Sequence, residues 1–365
     1  MNLVKIAQQF EVAGKLASVQ PIGSGNVNDT YLAVFRTHFS EEKIIVQRIN
    51  GQVFSKPEWI MVNIRILTNH YHKQLQVESA SADRIWQLPC IVPCRNGDDY
   101  YVDTEGGHWR ALTLIASATA HEVVQSEQHA HEVGSVLGQF HRLVDGLDAS
   151  ELHDTLPGFH ITPGYLEQYD QISRSDQVKQ STDVEQLQQF IEERRELAYV
   201  LENALKAGEL KLRLIHGDPK VSNIMIDNDS GKGTAIIDLD TVKPGLIHYD
   251  FGDALRSICN PMGEDCKNLE EVVFDLDLCQ TFVRGYMRFA GSFLTENDNK
   301  YFYDSVRLIT FELGLRFFQD YLAGDVYFRT THPEHNLERA KVQFKLCESI
   351  EHRENQIRKI FDQAK

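Results

Sequence analysis

A short polar stretch carries the strongest chemical signal in the sequence. Between the apolar runs at Leu214–Ile215 and Ile224–Ile226 stands the order H-x-D-x-K-x-x-N, formed by His216, Asp218, Lys220 and Asn223. A carboxylate at Asp218 can take the proton of a hydroxyl that is being phosphorylated. An amide five residues on, at Asn223, can turn back to hold a magnesium ion. Lys220 between them can lean on a transferring phosphoryl group and offset its charge in the transition state. A metal clamp needs a second carboxylate, and Asp238 and Asp240 end the apolar run Ala235–Ile237. The 20 residues from Asp218 to Asp238 leave room for a hairpin that returns the chain to the loop. A literal D-F-G at Asp250–Gly252 follows a looser stretch instead of a strand. Asp250 and Asp253 therefore read as holding the loop, or as capping a helix that carries Arg256.

The His, Asp and Asn spacing matches the catalytic loop of protein kinases, H-R-D-L-x-x-x-N. Such a loop needs a nucleotide side. Gly23, Ser24 and Gly25, with Asn28 beyond them, lie in a small-residue turn before the β-like run Tyr31–Phe35. Small residues there let backbone N–H groups approach phosphate oxygens. The turn is not G-x-x-x-x-G-K-[ST], so no Walker-type site is implied. The next strand, Lys43–Ile49, should deliver a cation to the phosphates but has no lysine at that point; Gln47 or Arg48 stands there. Strand alternation lets only one of the two face the nucleotide. Chain order places adenine against Leu114–Ser117.

The elements that must hold these groups change character along the chain. Tyr31–Phe35, Lys43–Ile49 and Trp109–Ile115 read as strands, interrupted by one helix near Pro57–His72, with Pro57 suited to a first turn. From Ser126 the period becomes helical: Ala130, Val133, Leu137, Phe140 and Val144 share a stripe that closes near Gly146. A second helix reads from Asp183 to Ala207, stopped by Gly208. The expectation is an α+β, two-lobed, protein-kinase-like fold with a mainly antiparallel sheet in residues 1–117 and a mostly helical lobe in residues 118–365. The histidine-rich run from His121 to His131 lacks metal-ligand spacing and reads as a solvated helix start.

The 365 residues carry 37 basic and 53 acidic side chains, a net charge of −16. That field repels nucleic acid and anionic membranes, so neither is expected as a partner. No apolar stretch is long enough for a spanning helix, and the N-terminus lacks a secretory signal. The six cysteines have no zinc or disulfide-scaffold spacing. A cytoplasmic location with reduced thiols follows as the expectation. Nothing in the sequence specifies an oligomeric state.

On these motifs the chain resembles the aminoglycoside phosphotransferase and choline kinase superfamily, and within it the bacterial N-acetylhexosamine 1-kinases. The likeness rests on Gly23–Tyr31, Val46–Asn50, Pro157–His160, His216–Asn223, Ile237–Val242, Asp250–Asp253, Glu312–Tyr321 and Gly324–Tyr327. The resemblance implies transfer of the γ-phosphate of ATP, with Mg²⁺, to the anomeric hydroxyl of N-acetylglucosamine or N-acetylgalactosamine. It further implies Asp218 as base, Asn223 and Asp238 on the metal, and Arg316 and Tyr327 on the sugar. The structural alternative for Arg316 is an ion pair with Asp320 or Glu312. Other acceptors of the superfamily (choline, ethanolamine, an aminoglycoside, another sugar) stand as rivals, as does a non-catalytic nucleotide-binding protein.

Overall fold

The computed structural model describes residues 2–22, 27–77, 84–174 and 181–364. The N-terminal lobe runs α1 (Leu3–Ala7), β1 (Lys15–Pro21), β2 (Asp29–Arg36), β3 (Glu41–Ile49), α2 (Pro57–Val77), β4 (Ile91–Val92), β5 (Tyr101–Val102) and β6 (His108–Thr113). Its six strands form an antiparallel sheet of order β1-β2-β3-β6-β4, with β5 also paired to β6. Alternation divides the two faces. Ala33, Phe35, Ile44, Val46, Trp109 and Ala111 bury one face with α1. The other face, carrying Ile49, Gln47 and Arg110, turns toward α2 and the second lobe.

The second lobe begins with β7 (Ala118–Thr119) and α3 (Glu127–Val144), then α4 (Thr162–Ser173), α5 (Thr182–Glu193) and α6 (Val200–Lys206). Four short strands follow: β8 (Arg213–Ile215), β9 (Ile224–Asp227), β10 (Gly233–Ile236) and β11 (Lys243–Gly245). Helices α7 (Ile247–Ile258), α8 (Leu276–Ala290), α9 (Glu296–Leu322), α10 (His335–His352) and α11 (Glu354–Gln363) complete it. The mixed α+β fold, with an antiparallel sheet followed by a helical lobe, is the expected one.

Two expectations need correction. The helix read over Asp183–Ala207 is broken by a 3-10 turn at Arg195–Tyr199. Arg194 and Arg195 are drawn in different directions, to Glu351 at 2.8 Å and Asp170 at 2.5 Å, while Leu197 and Ala198 stay buried. The turn serves all four. The start of α3, capped by Ser126, is solvated through Gln128 as expected, but the rest of the run turns inward: His129 and Glu132 are buried. Glu132 accepts from Arg84 and from Gly233 N–H at 2.8 Å, so the charge is spent on joining α3 to β10. Burial and the nearby His121 push the His129 imidazole down to about 4, which keeps it neutral.

The cysteines are unpaired, and Cys94, Cys259, Cys279 and Cys347 are buried. Among the described residues no helix is long and apolar enough to cross a membrane.

Helices α3 and α8 approach so closely that their contact is made of backbone. A Cβ on Gly134, Gly138 or Gly285 would collide with the carbonyl of Phe282, Tyr286 or His131 respectively. Here packing opposes propensity. Gly138→Ala in an isolated helix gains about 1 kcal/mol, yet overpacking a tight core costs about 1–3 kcal/mol. Gly138→Ala should therefore lower the urea-unfolding midpoint. An unchanged or raised midpoint would show that the crossing has room to spare.

Candidate phosphotransfer site

The H-x-D-x-K-x-x-N segment links β8 to a 3-10 turn at Val221–Asn223, from which β9 and β10 form a hairpin. Asp227 accepts Ser230 N–H at 2.8 Å and Gly231 takes φ +68°, which closes the hairpin turn. The return brings Asp238 back to the loop, where Ile237 N–H donates to Asn223 O at 2.9 Å.

The loop's backbone is fixed from behind. Asp250, buried in α7, accepts His216 N–H at 2.7 Å, Gly217 N–H at 2.8 Å and His141 Nε2–H at 2.8 Å. The D-F-G aspartate thus holds the loop from within α7 and caps nothing, while Asp253 pairs with Arg256 at 2.7 Å. His216 bridges the two segments: its Nδ1 accepts Asp218 N–H at 3.2 Å and its Nε2–H donates to Ile237 O at 2.9 Å. Burial pushes this imidazole down, in keeping with a neutral ring. Gly217 has φ +87°, and a Cβ there would stand 2.7 Å from Thr241 O, so the residue before Asp218 must be glycine.

At the front, Lys220 Nζ and Asn223 Nδ2 (3.0 Å) both engage Asp218 Oδ2. Both contacts go to Oδ2, and Asp218 is partly exposed at this position. Burial disfavours the Lys220 charge, but Asp218 and then Asp238 outweigh it and raise its pKa. Asp238 sits in the left-handed region, φ 65° and ψ 62°, with its side chain open to the junction of the lobes. Crowding by protein atoms and the neighbouring Asp240 push its carboxyl up to about 7. Among the described residues no group of three or more His, Cys, Asp or Glu could hold a metal by itself. A magnesium ion that takes its other ligands from phosphates needs only one or two protein ligands. The Asp238 carboxyl, whose ionised form is disfavoured beside Asp240 and would be favoured by a cation, and the Asn223 Oδ1, left over once Nδ2 is committed, fit that demand.

Of the nucleotide-side residues, Gly23, Ser24 and Gly25 lie outside the described residues. Asn28 donates to Asp240 Oδ2 at 2.7 Å and accepts Asn50 N–H at 3.0 Å. Gln47 faces the junction, donating to Thr30 at 3.0 Å and accepting from Arg110 at 2.9 Å. Arg48 lies on the opposite face beside Asp103 and Gly107. Sequence reading missed Arg110, a cation inside the apolar strand β6; its isolation among apolar neighbours was the available signal.

Arg316 and Tyr327 come together, 5.7 Å apart, in a cavity of about 320 Å³. Phe159, Tyr165 and Phe328 complete an aromatic box, 5.0, 5.1 and 5.4 Å from the guanidinium. Neither proposed ion pair forms. Glu312 is engaged by His160 at 2.9 Å and Thr162 at 2.6 Å. Asp320 accepts the N–H groups of Val326, Tyr327 and Phe328 and the Asn336 amide. Burial works against the Arg316 charge, but surrounding groups, Glu312 and Asp218 among them, raise its pKa overall. His160 ties the box to the loop: Nδ1 meets Glu312 and Nε2 meets Gly217 O at 2.8 Å. Both partners are acceptors, so both ring nitrogens carry protons.

Burial opposes that charged imidazole, yet Glu312, then Asp253 and the Gly217 carbonyl, raise the His160 pKa above its ordinary 6.5. A raised folded pKa means stabilisation that is complete below about 6.5 and fades as pH climbs through the folded value. His160→Gln should cost about 3–5 kcal/mol at pH 6, as for a broken buried pair, and the gap to wild type should narrow toward pH 9. Urea unfolding at pH 6, 7.5 and 9 measures it. A gap independent of pH would rule out the doubly protonated ring.

A family model described as a phosphotransferase enzyme family matches residues 18–268, well over half the chain. Several solved structures share the architecture. An aminoglycoside phosphotransferase from Alicyclobacillus acidocaldarius subsp. acidocaldarius is 13% identical over 98% of this chain and 96% of its own, with TM-score 0.63. A choline kinase from Cryptosporidium parvum is 15% identical over 95% and 90%, with TM-score 0.56. A microcompartment-associated aminopropanol kinase is 16% identical over 98% of each chain, with TM-score 0.53. At such identities these likenesses speak for the fold alone. The matched model spans the N-terminal sheet, the Asp218 loop and the Asp238–Asp253 segment together, and on that ground the chain belongs to the phosphotransferase enzyme family.

Proposed function

We propose that the chain is an ATP-dependent kinase that phosphorylates the anomeric hydroxyl of an N-acetylhexosamine, N-acetylglucosamine or N-acetylgalactosamine, to give the sugar 1-phosphate. The observation that carries the acceptor reading is Arg316, a half-buried guanidinium without a carboxylate ion pair among the described residues, at the centre of an aromatic cavity beside the Asp218 loop. A cationic acceptor, such as choline or an amino alcohol, would meet a like charge there. At about 5 Å and an effective dielectric of about 20, that repulsion is about 3 kcal/mol. A sugar brings what the box lacks. Its hydroxyl and acetamido oxygens accept from the guanidinium's N–H groups, and its apolar ring face packs on Phe159, Tyr165 and Tyr327.

Chemistry then follows from the loop. The acceptor oxygen attacks the γ-phosphorus in line, its proton passes to Asp218 Oδ1, the bond to the β,γ-bridging oxygen breaks, and ADP leaves. An anomeric hydroxyl is more acidic than an ordinary alcohol, so the carboxylate is base enough. Lys220 and Asn223, both on Oδ2, hold Asp218 in one rotamer. Asn223 and Asp238 would hold magnesium, which supplies charge neutralisation on the phosphates. Asn28 and Gln47 would face the nucleotide, and the sequence Gly23-Ser24-Gly25 supplies small residues suited to phosphate contact.

Asp218→Asn should lower turnover by about 10²–10⁴-fold, with ATP binding retained. Arg316→Met should raise the sugar KM at least tenfold while leaving the ATP KM within twofold. An acceptor panel with ³¹P NMR of the product identifies the sugar and the position. Faster turnover of choline or ethanolamine than of either N-acetylhexosamine would overturn the acceptor reading.

A further inference from the structure

The strand that should carry the nucleotide-side cation carries Gln47, but the neighbouring strand supplies an arginine at the same level. Gln47 on β3 pairs with Arg110 on β6, so the two side chains leave the sheet on one face. Arg110 is 1% exposed. Its Nε donates to Gln47 Oε1 at 2.9 Å, and Gln47 in turn donates to Thr30 on β2, a strut across three strands. Arg110 Nη1 lies 2.5 Å from Asp240 Oδ1, across the junction of the lobes. The other oxygen of Asp240 takes Asn28 at 2.7 Å, and its backbone carbonyl takes Thr155 at 2.7 Å.

Asp240 is two residues beyond Asp238. Whatever fixes Asp240 against the sheet fixes the height and rotation of Asp238 relative to anything the sheet holds. In protein kinases a strand lysine and a helix glutamate perform such a task, and both must be in place for activity. Here, among the described residues, no carboxylate of α2 pairs with a strand cation; Asn63 of α2 instead donates to Val242 O at 2.9 Å, on the same segment as Asp240.

We infer that Arg110 is a positioning residue for phosphoryl transfer: its buried pair with Asp240 registers the Asp238 segment on the nucleotide-binding sheet and so sets the affinity for the magnesium–nucleotide complex. This rests on the phosphotransfer reading and is independent of which acceptor is used. Arg110 needs no contact with phosphate for this, in keeping with its burial. The charged groups facing it are Asp240, in contact, and Asp238, whose carboxylate its field reaches.

The test is fluorescent-ADP binding under magnesium titration, supported by steady-state kinetics. Arg110→Gln should raise the magnesium concentration needed for half-maximal ADP binding at least tenfold, with the acceptor KM within twofold, and Arg110→Lys should recover part of the loss. Arg110→Gln leaves Asp240 buried and unpaired and can fail to fold. The double variant Arg110→Gln/Asp240→Asn removes both charges, and it should recover thermal stability while keeping the raised magnesium requirement. A folded double variant with wild-type magnesium dependence would make the pair structural only and overturn the inference. Wild-type protein that bound no magnesium–ADP would instead defeat the phosphotransfer reading itself.

Discussion

The carboxylate of Asp250 is the point on which the site's geometry hangs. It is fully buried and receives two successive backbone N–H groups, those of His216 and Gly217, together with His141. Hydrogen bonds to a charged acceptor are worth about 1.5–3 kcal/mol each, and in a low-dielectric interior their directions are stiff. Asp218 is the next residue, so its Cα position follows from Asp250 and not from solvent-exposed contacts. His141 is braced by Tyr286, at 3.0 Å, on the far helix of the glycine-lined crossing. The tight α3–α8 contact is therefore a condition for placing Asp218 as well as a matter of core packing.

A second line of force reaches the same turn from the acceptor side. Helix α9 carries Glu312 and, one turn later, Arg316. Spacing of i and i+4 places both on one face. Glu312 is spent on His160, and His160 is spent on the carbonyl of Gly217. Arg316 therefore stands without its helical neighbour's carboxylate because that carboxylate already holds, through His160, the turn at Gly217. The cavity's positive charge and the loop's rigidity have a common origin in one residue's choice of partner. In a chain of net charge −16, Arg316 lines this cavity without a carboxylate in ion-pair contact, its charge supported at longer range by Glu312 and Asp218.

Much of this was legible in sequence because the signals are local. The spacing from His216 to Asn223, the hairpin return to Asp238 and the demotion of the D-F-G from metal site to support all depend on a few tens of residues and on turn chemistry. Strand alternation limited Gln47 and Arg48 to opposite faces without saying which was which. What remained hidden depends on pairing between strands and helices far apart in sequence. Arg110 becomes meaningful only once the β3–β6 register sets it opposite Gln47, and no pattern within Trp109–Ile115 contains that register. The break at Arg195–Tyr199 depends likewise on Glu351 and Asp170, which sit on other elements. Residues of α3 that read as solvated are buried because β10 and Arg84 happen to lie over them.

Asp238 joins the two lines of force. Its backbone is left-handed, a conformation that costs a non-glycine L-residue about 1–2 kcal/mol, and its carboxyl is pushed up to about 7 by crowding and by Asp240. Neither feature favours the folded chain alone. Both are held in place by their neighbours: Ile237 by hydrogen bonds with Asn223 and His216, and Asp240 by an ion pair with Arg110 and hydrogen bonds from Asn28 and Thr155. The arrangement concentrates unfavourable charge and backbone geometry at one exposed carboxylate, between segments fixed by hydrogen bonds and an ion pair. On the proposed reading, a divalent cation held by Asp238 would offset the electrostatic part of that penalty, and binding would then favour metal-bound over metal-free nucleotide because the former brings its own positive charge.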